Sequence, residues 1–136
     1  MIDLICGDCL EVMQGMEDNS VDAIVTDPPY ACIKRDYGYW SEEEWRFMMD
    51  AVTAECRRVL KPTGSAVFIL QPNYDTNNGA GLSVRLWLWE WAIHWAKEWN
   101  WIQDAYWWNH ATLPNGLAPK GRFMRGSVKP CFWFGM

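Results

Sequence analysis

The stretch VDAIVTDPPY at residues 21–30 decides the fold of this chain. Its first six residues, Val21–Thr26, are rich in β-branched side chains, which is typical of a strand. The two prolines that follow end the strand abruptly, because proline cannot donate a hydrogen bond to a sheet ladder. The sequence therefore predicts a short strand that carries Asp27 and Tyr30 at its carboxyl end.

A helix and a second strand are predicted downstream. Ser41 and Glu44 have the spacing of a capping box, which marks the start of a helix. Apolar side chains then recur with helical periodicity at Trp45, Met48, Met49, Val52, Cys56 and Val59. After a turn at 61–64, the apolar run SAVFIL at 65–70 predicts a strand buried on both faces. Strand, helix and strand in this order predict a parallel α/β sheet with right-handed crossovers.

Further elements are predicted on both sides of this unit. Residues 2–6 predict a short buried strand, followed by a turn and a short helix. Residues 82–100 predict a long helix that is apolar on most sides. Its tryptophans recur every four residues, and core packing is favoured over base stacking for Trp87, Trp91, Trp95 and Trp99. Two more strands are predicted at 101–108 and 128–134, separated by a segment rich in Pro and Gly.

Composition limits the class of protein. The chain has 136 residues, of which 50% are hydrophobic and 21% charged, as expected for one globular domain. The net charge of −5 argues against a surface that binds nucleic acid all over. Acidic residues are absent from position 105 onward, however, and this part of the sequence contains four basic residues. A basic patch that contacts phosphates is predicted there, with a solvated loop as the alternative, at Lys120, Arg122, Arg125 and Lys129.

The cysteines indicate a reducing compartment. Five cysteines without the dense spacing of a secreted scaffold favour the cytoplasm, and neither a signal peptide nor a membrane span is predicted. Cys6 and Cys9 form a CxxC pair, but a second pair or nearby histidine that would complete a zinc site is missing. Buried thiols at a strand end are therefore predicted, and no metal.

The residues after the first strand have a chemistry of their own. Ligands of open parallel sheets bind beyond the carboxyl ends of strands, and Asp27 would offer a fixed acceptor there. Prolines at 28 and 29 fix the backbone and leave their carbonyl groups free to accept. Tyr30 supplies a flat face. This set suits a planar base with an exocyclic amine, which has two N–H groups to donate and a ring to stack.

At this point the sequence resembles the amino-group DNA methyltransferases, which methylate adenine N6 or cytosine N4 with S-adenosylmethionine. The matching stretches are GDCLEVM at 7–13, SVDAIVTDPPY at 20–30 and RVLKPTGSAVFI at 58–69, followed by YWWNHATLPNG and VKPCFWF. Their order is similar to that of the permuted class, in which the catalytic half precedes the cofactor half. The resemblance implies a partial Rossmann-like fold with a mostly parallel sheet and a carboxyl-terminal antiparallel hairpin.

The resemblance also implies roles for individual residues. The catalytic motif would be Asp27, Pro28, Pro29 and Tyr30, in which the Asp27 carboxylate and the Pro28 carbonyl hold the target amine. Tyr30 would stack on a base flipped out of double-stranded DNA. Asp8 is similar to a residue near the cofactor adenine. The aspartate of DPPY favours adenine N6 over cytosine N4.

One expected motif is missing from the sequence. The family binds S-adenosylmethionine with a glycine-rich turn of the F-x-G-x-G kind after a strand, and the only comparable stretch, at 79–81, is interpreted as a loop. The expectation is a truncated catalytic domain over 1–136 whose unpaired sheet edges need a homodimer or a complementing subunit. We expect the chain alone not to methylate DNA. The alternative function is a non-catalytic remnant that binds DNA or a partner.

Overall fold

A computed structural model describes residues 2–75, 83–108 and 128–136 of the protein. In chain order the elements are α1 (Cys9–Gln14), β1 (Val21–Thr26), α2 (Glu42–Val59), β2 (Leu60–Ile69), β3 (Tyr74–Asp75), β4 (Ser83–Val84), α3 (Trp87–Trp95), β5 (Asn100–Trp108) and β6 (Val128–Gly135). The predicted strand-helix-strand unit is confirmed as β1, α2 and β2.

The main sheet is mixed. Its four strands lie in the order β1-β2-β6-β5, with β1 parallel to β2. Strand β6 runs antiparallel to both of its neighbours, which confirms the antiparallel pair at the carboxyl-terminal side. Only one of these three pairings is parallel, so the described sheet is α/β as predicted but less parallel than expected.

Helix α2 begins at the predicted capping box. The Ser41 side chain accepts a hydrogen bond from the Glu44 backbone N–H, and the Glu44 carboxylate accepts one from the Ser41 backbone N–H. The buried face of the helix closely follows the predicted stripe and consists of Trp45, Met49, Val52, Thr53, Cys56 and Val59. Local sequence therefore determines both where this helix starts and which side faces the core.

Aromatic side chains from α3 and the sheet form the centre of the core. The ring of Trp91 meets Phe68 of β2 edge-on at 5.1 Å between centroids, and Phe132 and Phe134 of β6 at 6.0 and 5.9 Å. Such edge-to-face pairs add stabilisation beyond the apolar area that they bury. All four tryptophans of the predicted helix are buried, which confirms core packing.

The predicted amino-terminal strand is wrong. Residues 2–6 are not in a strand, and Ile2, Leu4 and Ile5 are strongly exposed. A strand exists only where a neighbour supplies backbone partners, and within the described residues this segment pairs with none. Apolar composition alone is therefore misleading here.

The predicted helix at 82–100 is too long. Ser83–Val84 instead pairs with Tyr74–Asp75 in a two-stranded antiparallel sheet, so the helix begins at Trp87. At the other end, Asn100 already belongs to β5. Strand pairing thus takes residues from both ends of an apolar segment that reads as one helix.

Strand β2 begins earlier than predicted. Leu60 is both the residue that caps α2 and the first residue of the strand, so no loop separates the two elements. The register with β1 shifts between the pairs Val21↔Leu60 and Ala23↔Ser65, which absorbs the predicted turn as an irregularity within the strand.

Strand β1 is an edge of the described sheet. It pairs with β2 on one side, and the described residues supply no strand on the other. Val25 is 71% exposed, although a valine at this position is typical of a buried strand. The sequence predicts an open edge next to the DPPY motif, and the described residues show it. Within the described ranges, no helix is long and apolar enough to cross a membrane.

Candidate active site

The DPPY motif lies where four strands bring their ends together. Thr26 at the end of β1 is opposite Phe68, and Ile69 at the end of β2 is opposite Cys131. In the antiparallel pair, Trp107 near the end of β5 is opposite Lys129 near the start of β6. The topology therefore places Lys129 at the same sheet edge as the motif.

Two donors fix the Asp27 carboxylate. The Tyr30 hydroxyl donates to Oδ1, and the Lys129 ammonium lies 3.2 Å from Oδ2. The Asp27 side chain is nevertheless 41% exposed. Each carboxylate oxygen has a second lone pair, so a held and partly exposed carboxylate can still accept from an incoming donor.

Tyr30 is buried beside the carboxylate, with 7% of its surface exposed. Burial raises the pKa of Tyr30, and the hydrogen bond to Asp27 raises it further, whereas Lys129 lowers it. The raised pKa keeps the phenol protonated at neutral pH, as donation to Asp27 requires.

The two prolines differ in their surroundings. The indole N–H of Trp45 on α2 donates to the Pro29 carbonyl at 2.6 Å, which ties the motif to the buried start of that helix. The Pro28 carbonyl makes no hydrogen bond with the described residues. Of the two predicted proline acceptors, Pro28 is therefore the one that these contacts leave open.

Lys129 connects β6 to the motif. Its ammonium donates to the Tyr30 hydroxyl at 2.8 Å in addition to pairing with Asp27. Burial works to lower the pKa of Lys129, but the hydrogen bonds to Tyr30 and Asp27 outweigh burial and raise the pKa above the ordinary value. The ammonium also lies 5.3 Å from the ring centroid of Trp107, within range of a cation–π interaction.

The sequence places Lys129 only in a basic patch. The other members of that patch, Lys120, Arg122 and Arg125, lie outside the described residues, as does the glycine stretch at 79–81. The phosphate contacts predicted for the patch stay a prediction. Sequence reasoning misses the contact with Asp27 because that contact depends on the register of two strands that are distant in sequence.

Asp8 has a local structural contact. Its carboxylate accepts from the Leu10 backbone N–H at 2.8 Å and caps the start of α1. The described glycines occur singly, at positions 7, 15, 38, 64 and 135, so none of them forms a glycine-rich turn after a strand. The described residues therefore form the side of a site that would hold a target amine, and they do not fit a cofactor cradle.

The CxxC pair does not have the predicted burial. Cys6 and Cys9 are both exposed, because the strand that would have buried them is not formed. Within the described ranges, no group of three or more His, Cys, Asp or Glu residues is placed to hold a metal ion.

Comparison with solved structures defines the class of this fold. The PvuII DNA methyltransferase, which is cytosine-N4-specific, superposes with a TM-score of 0.78 at 23% identity, over 95% of this chain and 47% of that one. A DNA modification methylase of Thermus thermophilus, solved in complex with S-adenosyl-L-methionine, gives a TM-score of 0.71 at 21% identity, over 95% and 51%. The chain thus has the methyltransferase fold over about half the length of each structure.

Sequence comparison gives the family. The N6/N4 methyltransferase family model, described as DNA methylase, matches residues 21–136, and this chain belongs to that family. The Type II methyltransferase M.HpaI of Haemophilus parainfluenzae is 33% identical over 75 residues, which are 52% of this chain and 24% of that protein. M.BglII of Bacillus subtilis is 36% identical over 78 residues, 57% of this chain and 21% of that protein. The chain spans well under two thirds of these relatives.

Proposed function

We propose that this chain provides the target-base side of a DNA methyltransferase that modifies an exocyclic amine, with adenine N6 as the target. The observation that carries the proposal is the position of Asp27 beside Tyr30 and the open Pro28 carbonyl, at the carboxyl end of β1. The aspartate of the motif favours adenine N6, and cytosine N4 is the alternative. PvuII methyltransferase, whose fold is similar, acts on cytosine N4.

These residues would act on the amine by accepting its two hydrogens. The lone pair of an aromatic amine is delocalised into the ring, which makes the nitrogen a poor nucleophile. Acceptors at Asp27 and Pro28 would draw the nitrogen towards tetrahedral geometry and direct its lone pair out of the ring plane. A fixed pair of acceptors supplies this by positioning and preorganised charge, without reorganisation during the reaction.

Tyr30 would form one wall for the flipped base. Because only 7% of its surface is exposed, a base that stacks on this ring has to displace part of its cover. Base flipping already requires such an opening, since the target must leave the duplex and enter a pocket. The held hydroxyl of Tyr30 keeps its ring in a fixed orientation.

The methyl donor proposed for this reaction is S-adenosylmethionine, which when bound supplies an electrophilic methyl group. We derive no step through it, since the described residues do not form its site. We infer that a further region or a second chain completes the fold at the open edge of β1, either as a homodimer or as a complementing subunit. The exposed apolar residues at 2–5 and the exposed Val25 support this, because they provide surface for such a partner.

The second candidate function is binding of DNA or of a partner subunit without chemistry. The observation that favours it is the absence, within the described residues, of a glycine-rich turn after a strand. It predicts DNA retention that does not depend on Asp27.

The test is a methyl-transfer assay with labelled S-adenosylmethionine and amplified DNA, which carries no methyl groups. We expect no transfer by the chain alone, and transfer when it is joined to, or mixed with, a polypeptide that contains an F-x-G-x-G turn. Asp27→Ala should then lower the rate by about 10²-fold or more, as the loss of a preorganised catalytic contact does. Digestion to nucleosides and mass spectrometry distinguishes N6-methyladenine from N4-methylcytosine.

Asp22→Ala is the matched control. Asp22 lies at the opposite end of β1 and pairs with Lys61, so its replacement removes the same charge and one ion pair but leaves the DPPY motif unchanged. Equal rates for Asp27→Ala and the wild-type protein would exclude the proposed chemistry. DNA retention with no transfer under any condition would favour the non-catalytic alternative.

A further inference from the structure

Lys129 makes contacts that the family motif does not account for. Its ammonium is bonded to both functional side chains of the motif, Asp27 at 3.2 Å and Tyr30 at 2.8 Å. These partners precede it by 102 and 99 residues, so the contact is made only when β6 lies in the sheet. The Lys129 side chain is just 23% exposed.

The ammonium leaves the face of the Tyr30 ring free. It lies 2.8 Å from the hydroxyl oxygen and 5.3 Å from the ring centroid. The second distance is nearly the sum of the first and the distance from ring centre to hydroxyl oxygen. Lys129 therefore lies beyond the hydroxyl, towards the line of the C–O bond, and a base that stacks on the ring face does not meet it.

Asp27, Tyr30 and Lys129 form a closed triangle of hydrogen bonds. Tyr30 donates to one carboxylate oxygen, and Lys129 donates to the other and to the phenol oxygen. A carboxylate with both oxygens held cannot rotate, so its remaining lone pairs keep one direction. Trp107, directly across the strand pair from Lys129, limits the movement of the lysine stem.

We propose that Lys129 is a positioning residue of the target-amine site, which orients the Asp27 carboxylate and the Tyr30 hydroxyl from the opposite side of the sheet. This rests on the proposed function for the role of Asp27, but the arrangement itself exists in the free protein. It assigns Lys129 to the site in place of the phosphate contact predicted from sequence.

The surroundings of Lys129 define what a titration reports. Among the described residues, the titratable groups that act on its ammonium are Asp27 and Tyr30. The facing residue of β5 is Trp107, which does not titrate, and the Tyr37 hydroxyl contacts the Tyr30 backbone N–H at 3.4 Å. Lys129 acts on the phenol of Tyr30 by lowering its pKa, against burial and Asp27, which raise it.

The experiment follows the ionisation of Tyr30 in the free, full chain by ¹³C NMR with tyrosine labelled at Cζ, and Tyr30→Phe identifies the signal. In Lys129→Met we expect the Tyr30 titration to move to higher pH, because the cation is lost while burial and Asp27 remain. Lys129→Arg restores a cation and should restore most of the wild-type midpoint. If Lys129 only supported packing, its loss would expose Tyr30 and move the midpoint to lower pH, the opposite sign.

Lys61→Met is the matched control. Lys61 also bridges β1 and β2, with its ammonium 2.7 Å from an Asp22 carboxylate oxygen, but at the other end of β1. The Tyr30 midpoint should not change in this variant. A midpoint in Lys129→Met that is unchanged or lower than in the wild type would overturn the proposal.

A second measurement separates this role from a phosphate contact. The ¹⁵N signal of the Lys129 ammonium should shift in Asp27→Asn and stay in place when a short DNA duplex is added. A signal that ignores Asp27→Asn and moves with DNA in a salt-dependent way would return Lys129 to the basic patch. Neither measurement needs methyl transfer, so failure of the proposed function and failure of this assignment give different results.

Discussion

Strands β6 and β1 belong to one sheet but differ sharply in cover. Phe132 and Phe134 of β6 are buried, and this strand has a neighbour on each side. Strand β1 has one neighbour within the described residues, and Val25 is exposed although the sequence VDAIVT is as apolar as that of a central strand. The comparison teaches that strand composition reports what a segment can pair with, whereas burial depends on whether the partner is present.

The largest effect is expected on the covered side of the sheet. Trp91→Ala removes a ring that is 0% exposed and contacts three phenylalanines, and should lower the free energy of unfolding by about 3–5 kcal/mol. Denaturant titration measures it. Phe47→Ala on α2 is the control, since Phe47 is 81% exposed and its loss should cost less than about 0.5 kcal/mol. Similar losses in both variants would contradict a core centred on α3.

The second prediction concerns Cys56, which faces the core from α2. Burial raises the pKa of Cys56 to about 12, above the ordinary thiol value. Between roughly pH 9 and 12 the unfolded chain therefore loses this proton while the folded chain keeps it, so folding stability falls as pH rises. The expected slope from this group is about 1.4 kcal/mol per pH unit.

The check is the pH dependence of unfolding in wild type and in Cys56→Ala. The variant loses packing at every pH, but the part of the alkaline slope due to this thiol should disappear. The exposed Cys6 and Cys9 provide the contrast within the same molecule, and a thiol reagent should modify them well before Cys56. Equal modification rates would show that α2 does not shield its cysteine.

The smallest effect is expected at the open edge. Val25→Ser should change the unfolding free energy of the free chain by less than about 0.5 kcal/mol, because the side chain is already in water. In a complex that completes the sheet beside β1, the same substitution should weaken association measurably. A large loss in the free chain would mean that β1 is already covered, and the comparison with β6 would fail.

The predictable parts of the structure are those encoded by neighbouring residues. The capping box at Ser41 and Glu44, the apolar stripe of α2 and the prolines that end β1 all act within a few residues, and each prediction is confirmed. The DPPY residues are also predicted correctly at a strand end, because proline fixes that boundary locally.

The parts that failed depend on distant pairing. Residues 2–6 lack the neighbour that would make them a strand, and Ser83–Val84 leaves a predicted helix to pair with Tyr74–Asp75. Lys129 meets Asp27 only because β6 is inserted between β2 and β5. Strand order and register are set by the whole sheet, and a single sequence carries too little local signal to fix them.

The separation between Asp27 and Lys129 has a consequence for how the protein is made. The ribosome synthesises the DPPY motif early and its lysine partner 102 residues later. A nascent chain that has not yet released β6 therefore contains every letter of the motif but cannot hold the carboxylate in place. During synthesis, competence of this site waits for the last strand of the described chain.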